Sequence, residues 1–301
     1  MNLGQLRYFV VAAELENLSL AASRLRIAQS AISRQVRLLE EELGVQLLER
    51  VGRGVKLTDA GKTLLDRGRL LLGQVRQLEV DIKTRGGAPD GILRIGANPS
   101  FGEIILPQIA SLCREFLPNV TLHFVTDLAA TMLDSVRRGS LDFAIISFPD
   151  KDADFILEPL VTESIFLISH IEHDPGFADE CTLRAVSKLP LLLPAYPNRE
   201  RLGYERVAAA KGFTLNCIIE SDSLSVLKSL AARKLGHMLL PSIATASDAP
   251  AGQWKLSCVK GLTVERYIVR GARRPLSKAA TAVIKLVHEE TKQLRLRGII
   301  R

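Results

Sequence analysis

The sequence has no run of about eighteen apolar residues, so no segment reads as a membrane span. It also lacks an export signal, because Arg7, Glu14 and Glu16 interrupt the only apolar stretch near the N-terminus. Cysteine is scarce. The four present, Cys113, Cys181, Cys217 and Cys258, stand far apart without metal-type spacing, which fits a reduced cytoplasm. The five histidines, His123, His170, His173, His237 and His288, show no metal spacing either; His170 and His173 fall three apart in an expected loop without an obvious third ligand. No Walker-type phosphate loop and no nucleophile elbow is present. These absences argue against an enzyme, a metal site and a bound cofactor. A stand-alone solute-binding protein is disfavoured as well, since its secreted forms need an export signal.

Acidic residues fall short of basic ones, 33 against 40, which leaves a net charge of +7 and an isoelectric point near 9.4. That balance favours a polyanionic partner, but weakly. Through Thr58 there are eight basic residues and six acidic ones, so the placement of particular arginines says more than their number.

What is present begins at Leu18–Arg37, LSLAASRLRIAQSAISRQVR. Ser19 is a suitable N-cap for a short helix whose Ala21, Ala22 and Leu25 form a small apolar face. A second helix is expected over Gln29–Leu43, with Ile32, Val36, Leu39 and Leu43 spaced four, three and four apart as its buried stripe. Gln29, Ser30, Ser33, Arg34 and Arg37 remain outside, and such side chains suit base edges and phosphates. This is the pattern of a helix-turn-helix whose second helix enters a major groove. Leu47, Leu48 and Arg50 lead through Gly52-Arg53-Gly54 into Val55, Lys56 and Leu57, a two-stranded wing with Arg53 at its tip. A tip arginine suits a phosphate or a narrow minor groove.

At this point the first sixty residues resemble the winged helix-turn-helix of LysR-type transcriptional regulators. The residues that carry the resemblance are Leu6, Phe9, Ala21, Ala22, Leu25, Gln29, Ser30, Ala31, Ser33, Leu39, Glu40, Leu43, Gly44, Leu47, Arg50, Thr58, Ala60 and Gly61. Ser30 is a departure in kind, because the family usually has proline there.

From Thr58 to about Arg85 one long helix is expected. Leu57, Leu64, Leu71 and Leu78 recur every seven residues, and Val75 and Ile82 supply a second seam. An apolar heptad on an exposed helix calls for a partner helix, here a second copy of the chain. Gly61 and Gly68 occupy that second seam earlier, where two backbones could come close. A two-fold dimer predicts an inverted-repeat operator. Gly86-Gly87-Ala88-Pro89-Asp90-Gly91 then reads as a hinge.

Beyond it the chain alternates. Strand-like runs occur at Ile92–Ile95, Val120–Val125, Phe143–Ile146, Ile165–Ile168, Leu189–Leu193, Cys217–Ile219 and Met238–Leu240. Helical stretches fall at Ile104–Phe116, Met132–Arg138, Glu200–Lys211, Ser223–Ala232 and Lys278–Leu296. The alternation argues for mostly parallel α/β sheets, with ligands at the carboxyl ends of strands. The same family resemblance extends loosely here through Ile95-Gly96, Leu106-Pro107, Phe116-Leu117-Pro118, Gly139-Ser140-Leu141-Asp142, Glu158-Pro159-Leu160 and Leu240-Pro241, while Arg-Lys-Leu-Gly at 233–236 departs from the commoner pattern.

The resemblance implies an α/β protein with a winged helix-turn-helix (1–58), a dimerisation helix (59–85), a hinge (86–91) and a two-lobed periplasmic-binding-protein-like effector domain (92–301). Lobe I is expected at 92–161 and 268–301, lobe II at 162–267. The chain is expected to be a cytoplasmic homotetramer that binds double-stranded DNA at an interrupted inverted repeat. RNA polymerase is a candidate further partner. DNA-contacting residues are Gln29, Ser30, Ser33, Arg34, Arg37, Arg50 and Arg53. The effector, of unknown identity and expected to be anionic, is assigned to Asn98, Ser100, Phe101, Thr126, Ser147 and Ser223, of which Ser100 matches the family's effector-contacting hydroxyl. Hydroxyls and free N–H groups at helix starts suit carboxylates, although Asp127 fits such a site only if it faces solvent or meets a cationic group. A redox-responsive regulator of the same family is the alternative.

Overall fold

The computed structural model describes residues 1–52, 54–83, 89–246 and 252–301. Arg53 and residues 86–88 of the expected hinge lie outside the described residues, as do the side chains of Arg50 and Ile82. The chain divides into two compact units, Met1–Arg85 with Arg138–Ser140, and Gly86–Arg137 with Leu141–Arg301.

The first unit contains α1 (Leu3–Leu15), α2 (Leu18–Leu25), α3 (Gln29–Leu43), β1 (Leu48–Val51), β2 (Gly54–Leu57) and α4 (Asp59–Lys83). Helix α1 starts from a capping box in which Asn2 and Gln5 each accept the other's backbone N–H at 2.9 Å. Leu6, Phe9, Val10 and Ala13 of α1 pack with Val36, Leu39, Leu47 and Leu65 in one core. The cap of α2 is Asn17, two residues earlier than the expected Ser19: its side-chain Oδ1 accepts from Ser19 and Leu20 N–H. Asparagine caps as well as serine does, and it is the residue that sits outside the helix.

Helix α3 buries Ile32, Val36 and Leu39, whereas Leu43, expected as the fourth buried position, is 40% exposed at the last turn. Gly44 closes the helix at φ +70°. Glu40 then turns the chain, its Oε1 accepting from Leu47 N–H at 2.8 Å and Leu48 N–H at 3.0 Å. Strands β1 and β2 pair antiparallel from Leu48↔Leu57 to Val51↔Gly54.

Helix α4 opens where Thr58 Oγ1 accepts from Gly61 N–H at 3.0 Å. Leu57, the first leucine of the heptad, belongs to β2. The glycines do not serve a partner helix. A Cβ on Gly61 would stand 2.1 Å from the Leu47 carbonyl oxygen, and one on Gly68 would stand 2.8 Å from Leu6 Cδ1. Both let α4 lie against its own unit. Leu71 and Leu78 remain 43% and 58% exposed. With Met1, Leu3, Leu6 and Val75 they line an open, mainly apolar cavity of about 580 Å³.

The second unit contains β3 (Gly91–Ala97), α5 (Pro99–Phe116), β4 (Val120–Thr126), α6 (Ala129–Arg137), β5 (Phe143–Ser147), β6 (Phe155–His170), β7 (Glu180–Thr182), α7 (Leu183–Val186), β8 (Leu191–Pro194), α8 (Arg199–Ala210), β9 (Cys217–Ser221), α9 (Leu224–Ala232), β10 (His237–Pro241), β11 (Trp254–Gly271) and α10 (Lys278–Leu296). Its strands run in the order β4-β3-β5-β11-β6-β10-β8-β9, with β7 added against β11. The outer strands, β3–β5 at one end and β8–β10 at the other, pair parallel within each lobe, as the alternating pattern predicted.

The two long strands were not legible. Only Ile165–Ile168 of β6 and no part of β11 stood out as a strand run, because charged residues at Glu158, Glu163, Lys255, Lys260, Glu265 and Arg266 break the apolar alternation. Strand β11 pairs with β7 through Cys258–Lys260 in one lobe and with β5 through Arg266–Val269 in the other. β6 accompanies it antiparallel from Trp254↔His170 to Gly271↔Phe155, with breaks in register. These strands therefore cross between lobes. In lobe I, Ile95, Phe101, Ile105, Phe143, Ile145, Ile268, Val283 and Val287 close the core beneath α5 and α10. In lobe II, Leu191, Leu193, Tyr204 and Leu239 pack on one face of the sheet, and Leu192, Leu227 and Met238 on the other. Lys234, in the segment that departs from the family pattern, takes φ +62°. Among the described residues no helix is long and apolar enough to cross a membrane.

Two predictions follow from this packing. Gly61→Ala must push a methyl into a backbone carbonyl that cannot rotate away, so the full chain should lose about 3 kcal/mol, the upper end of overpacking costs, in denaturant unfolding. His237 is buried on β10, bonded through Nδ1 to Ser169 Oγ at 2.8 Å, with the His173 ring centroid 4.8 Å away. Burial, and secondarily His173, hold its pKa below 6.5, against a weaker pull from Asp174. The unfolded chain then binds the proton first, so stability should fall as pH drops below 6.5. His237→Gln should flatten the Tm profile between about pH 7 and 5; an unchanged profile would remove His237 from the effect.

Candidate functional site

Two surfaces carry the candidate side chains. On the first unit, packing of Ile32, Val36 and Leu39 fixes which face of α3 is free. Gln29, Ser30, Arg34 and Arg37 are exposed there. Arg37 Nε also donates to Glu41 Oε1 at 2.9 Å, one helical turn on. Ser33 is half-buried and its Oγ is shielded without a partner, so of the five expected readers it is the one turned inward. Arg50 holds a wing-strand position paired with Val55.

On the second unit the structure brings together Asn98, Ser100, Thr126 and Ser147 from lobe I with α8 and α9 from lobe II. Proline at the first position of α5 leaves Asn98 as its N-cap, and Asn98 Oδ1 accepts from Ser147 N–H at 2.9 Å. At the centre lies a residue that sequence reading missed: Arg266 on β11, whose side chain is 0% exposed. It donates to Glu163 on β6, to Ser147 Oγ at 2.9 Å and to Glu200 Oε1 at 3.2 Å. Ser100 Oγ is 3.5 Å away, and the guanidinium carbon lies 4.8 Å from the Phe101 ring centroid. Burial works against the charge, and Glu163 and Glu200 overcome it, leaving the Arg266 pKa above its ordinary value.

Ser147 Oγ donates to Glu200 Oε1 at 2.8 Å. A hydroxyl at the end of β5 in lobe I is thus tied to a carboxylate in the first turn of α8 in lobe II. Arg199, next to it, donates to the Phe148 carbonyl at 2.8 Å and to Asp150 Oδ2 at 2.6 Å. Space remains beside this cluster. A cavity of about 250 Å³ is lined by residues that include Asn98, Thr126, Asp127, Asn198, Glu200 and Asp222. A smaller one adds Ser100, Pro194, Leu224, Leu227 and Leu240.

Three expected ligand residues stand apart from these linings. Ser147 is fully buried, its hydroxyl taken up by Glu200 and Arg266. Phe101 is buried under Arg266. Ser223 caps α9, accepting from Val226 N–H at 3.4 Å and exchanging a hydrogen bond with Ser225 Oγ at 2.9 Å. The lining is also acidic, through Asp127, Glu200 and Asp222, which runs against the anionic effector expected from helix starts alone. A signal for the missed pair was present: Glu163 and Arg266 are charged residues within strands, and a charge on a buried strand requires a partner on the next one.

The cysteines give little support to redox chemistry. Burial raises the thiols of Cys113 and Cys217 and lifts Cys181 to about 11. The thiolate is the reactive form, and these sites disfavour it. Among the described residues no group of histidine, cysteine and carboxylate side chains could hold a metal ion.

Removing Arg266 would leave the buried Glu163 and Glu200 without their cation. Arg266→Met should therefore cost about 3–5 kcal/mol in denaturant unfolding of the full chain. A loss under about 1 kcal/mol would mean that water or another cation replaces the guanidinium.

Comparison with known proteins agrees with this two-part construction. Residues 3–62 match the bacterial regulatory helix-turn-helix protein, lysR family, and residues 86–292 match the LysR substrate binding domain. The nitrogen assimilation regulatory protein nac of Escherichia coli (strain K12) is 30% identical over 291 residues, which cover 95% of this chain and 94% of that protein. The DNA-binding transcriptional dual regulator OxyR of the same strain is 30% identical over 270 residues, 86% of each. A solved full-length OxyR from Pseudomonas aeruginosa has the same fold, with a TM-score of 0.78 and 23% identity over 97% of this chain and 95% of that one. Matched in both parts, in order, and aligned over most of its length, the chain belongs to the LysR family of DNA-binding transcriptional regulators, whose promoter binding a small-molecule effector modulates.

Proposed function

We propose that Gln29, Ser30 and Arg34 read base edges in a major groove while Arg37, Arg50 and Arg53 hold phosphates or the minor groove, and that the chain is a regulator in the cytoplasm rather than an enzyme. The observation that carries the reading is the face of α3: three apolar residues anchor the helix and leave Gln29, Ser30, Arg34 and Arg37 in solvent. Ser33 enters that row only if binding turns its hydroxyl outward. The exposed Leu71 and Leu78, with their neighbours from α1, support pairing of two copies through this side of α4. A two-fold pair presents two reading helices, hence an interrupted inverted repeat as the operator, and two such pairs form a homotetramer. RNA polymerase is a candidate further contact.

The effector acts at the cleft between β5, α5 and α8. Glu200, Ser147 and Arg266 join the lobes there, so a ligand that binds one lobe arrangement better than another shifts the population toward it, and no other property of the ligand can do so. Ser100 and Asn98 at the start of α5 and Thr126 at the end of β4 are the assigned contacts. Raised thiol pKa values favour this route over a redox trigger.

Footprinting of the purified full chain upstream of its own gene tests the proposal. Protection of two half-sites that weakens steeply with salt is the expected result. Arg34→Ala should lower specific affinity by about 1–3 kcal/mol, the worth of a good base contact. An identical footprint and affinity in that variant would take Arg34 out of the reading set.

A further inference from the structure

The charges around the cleft are unevenly matched, and the mismatch has a sign. Every cation near it is already engaged. Arg199 is held by Asp150 and the Phe148 carbonyl, Lys228 lies 3.4 Å from Glu103, and Arg266 is sealed between Glu163 and Glu200. Two of the three carboxylates lining the open space, Asp127 and Asp222, are not matched. Among the described residues no cation pairs with Asp127, which accepts only Leu128 N–H at 2.6 Å, and none pairs with Asp222.

Glu200 is the decisive residue. It is only 5% exposed and lines both cavities. Its Oε1 is used twice, by Ser147 and Arg266. Its Oε2 accepts no hydrogen bond among the described residues. That oxygen is not one of the shielded polar atoms left without a partner; it opens onto the cavity, where a ligand N–H can take the place of water. A ligand carboxylate would instead face three like charges, against one lining cation, Arg199, that Asp150 and the Phe148 carbonyl already hold. Arg266 cannot turn to greet it without abandoning Glu163.

We propose that the effector cleft takes a small aliphatic ammonium compound, an amine or diamine. Its N–H groups would complete Glu200 Oε2, with its charge set against Asp127 of lobe I and Asp222 of lobe II. Its carbon chain would lie along Pro99, Pro194 and Leu224. A cation placed there attracts both lobes at once, which favours the closed cleft over an open one. The inference rests on the regulatory reading above, because it names the ligand of that same site.

Calorimetric titration of the full chain with n-butylamine, 1,3-diaminopropane, 1,4-diaminobutane and 1,5-diaminopentane, set against malonate, succinate and glutarate, tests it. At least one amine should bind, more weakly as salt rises, and none of the dicarboxylates should. Glu200→Gln should weaken amine binding at least tenfold. Because that change also cuts the tie to Ser147, Asp222→Asn at an exposed position provides a second variant, with a loss of about threefold or more expected and folding checked by circular dichroism. Binding of a dicarboxylate in preference, binding of no amine, or amine affinity unchanged in both folded variants would overturn the proposal. Footprinting of the same preparation separates the two readings. Specific protection of DNA without amine binding sinks the ligand class alone, while amine binding without any specific protection sinks the regulatory reading and leaves the ligand class standing.

Discussion

A guanidinium with no solvent around it constrains everything near it, and Arg266 is that constraint in the second unit. Its desolvation cost is offset only if carboxylates and hydroxyls reach it with good geometry. They come from four places: Glu163 on the neighbouring strand β6, Ser147 at the end of β5, Ser100 in the first turn of α5 and Glu200 in the first turn of α8. Two of these elements belong to lobe I and one to lobe II, while β6 and β11 cross between the lobes. Moving the lobes therefore disturbs a network whose members cannot be left unpaired cheaply. A cleft built this way has a mechanical link between ligand occupancy and lobe arrangement already in place.

The first unit solves a different problem, which is to hold a polar helix face steady in water. Ile32, Val36 and Leu39 anchor α3 from beneath. Glu40 bends the chain after Gly44 into the wing by accepting two backbone N–H groups. Gly61 and Gly68 let α4 lie directly on Leu47 and Leu6. None of these residues belongs to the exposed row on α3, yet together they decide the angle at which Gln29, Ser30 and Arg34 are displayed.

Legibility in the sequence followed the strength of periodic patterns. The approximate span and buried face of α3 were legible because a four-three-four apolar spacing admits one helical phase. Leu43 shares that helical phase but stands in the last turn, next to the closing Gly44, where it is 40% exposed. The glycines of α4 shared the heptad phase of a dimer seam, and spacing cannot tell a partner's backbone from the chain's own. β11 stayed hidden because its charged residues mimic a solvent-facing strand or loop, and only the partner strand shows which of those charges is buried. Hydroxyls at helix starts pointed toward Asn98, Ser100, Thr126 and Ser147. The same rule chose Ser223, which merely caps its helix.

By itself the sequence determined the local content of the chain: the two-helix reading head, the long leucine helix and the alternating strands and helices behind it. Those depend on residues within a few turns of one another, where periodicity and capping act directly. Its helix starts also marked a polar cleft. Tertiary structure alone decided that cleft's charge, because Glu163, Glu200 and Arg266 lie up to 103 residues apart and meet only when the crossing strands pair. Whether a charge is spent on a neighbour or left for a ligand is a property of three-dimensional proximity, and short-range pattern carries no information about it.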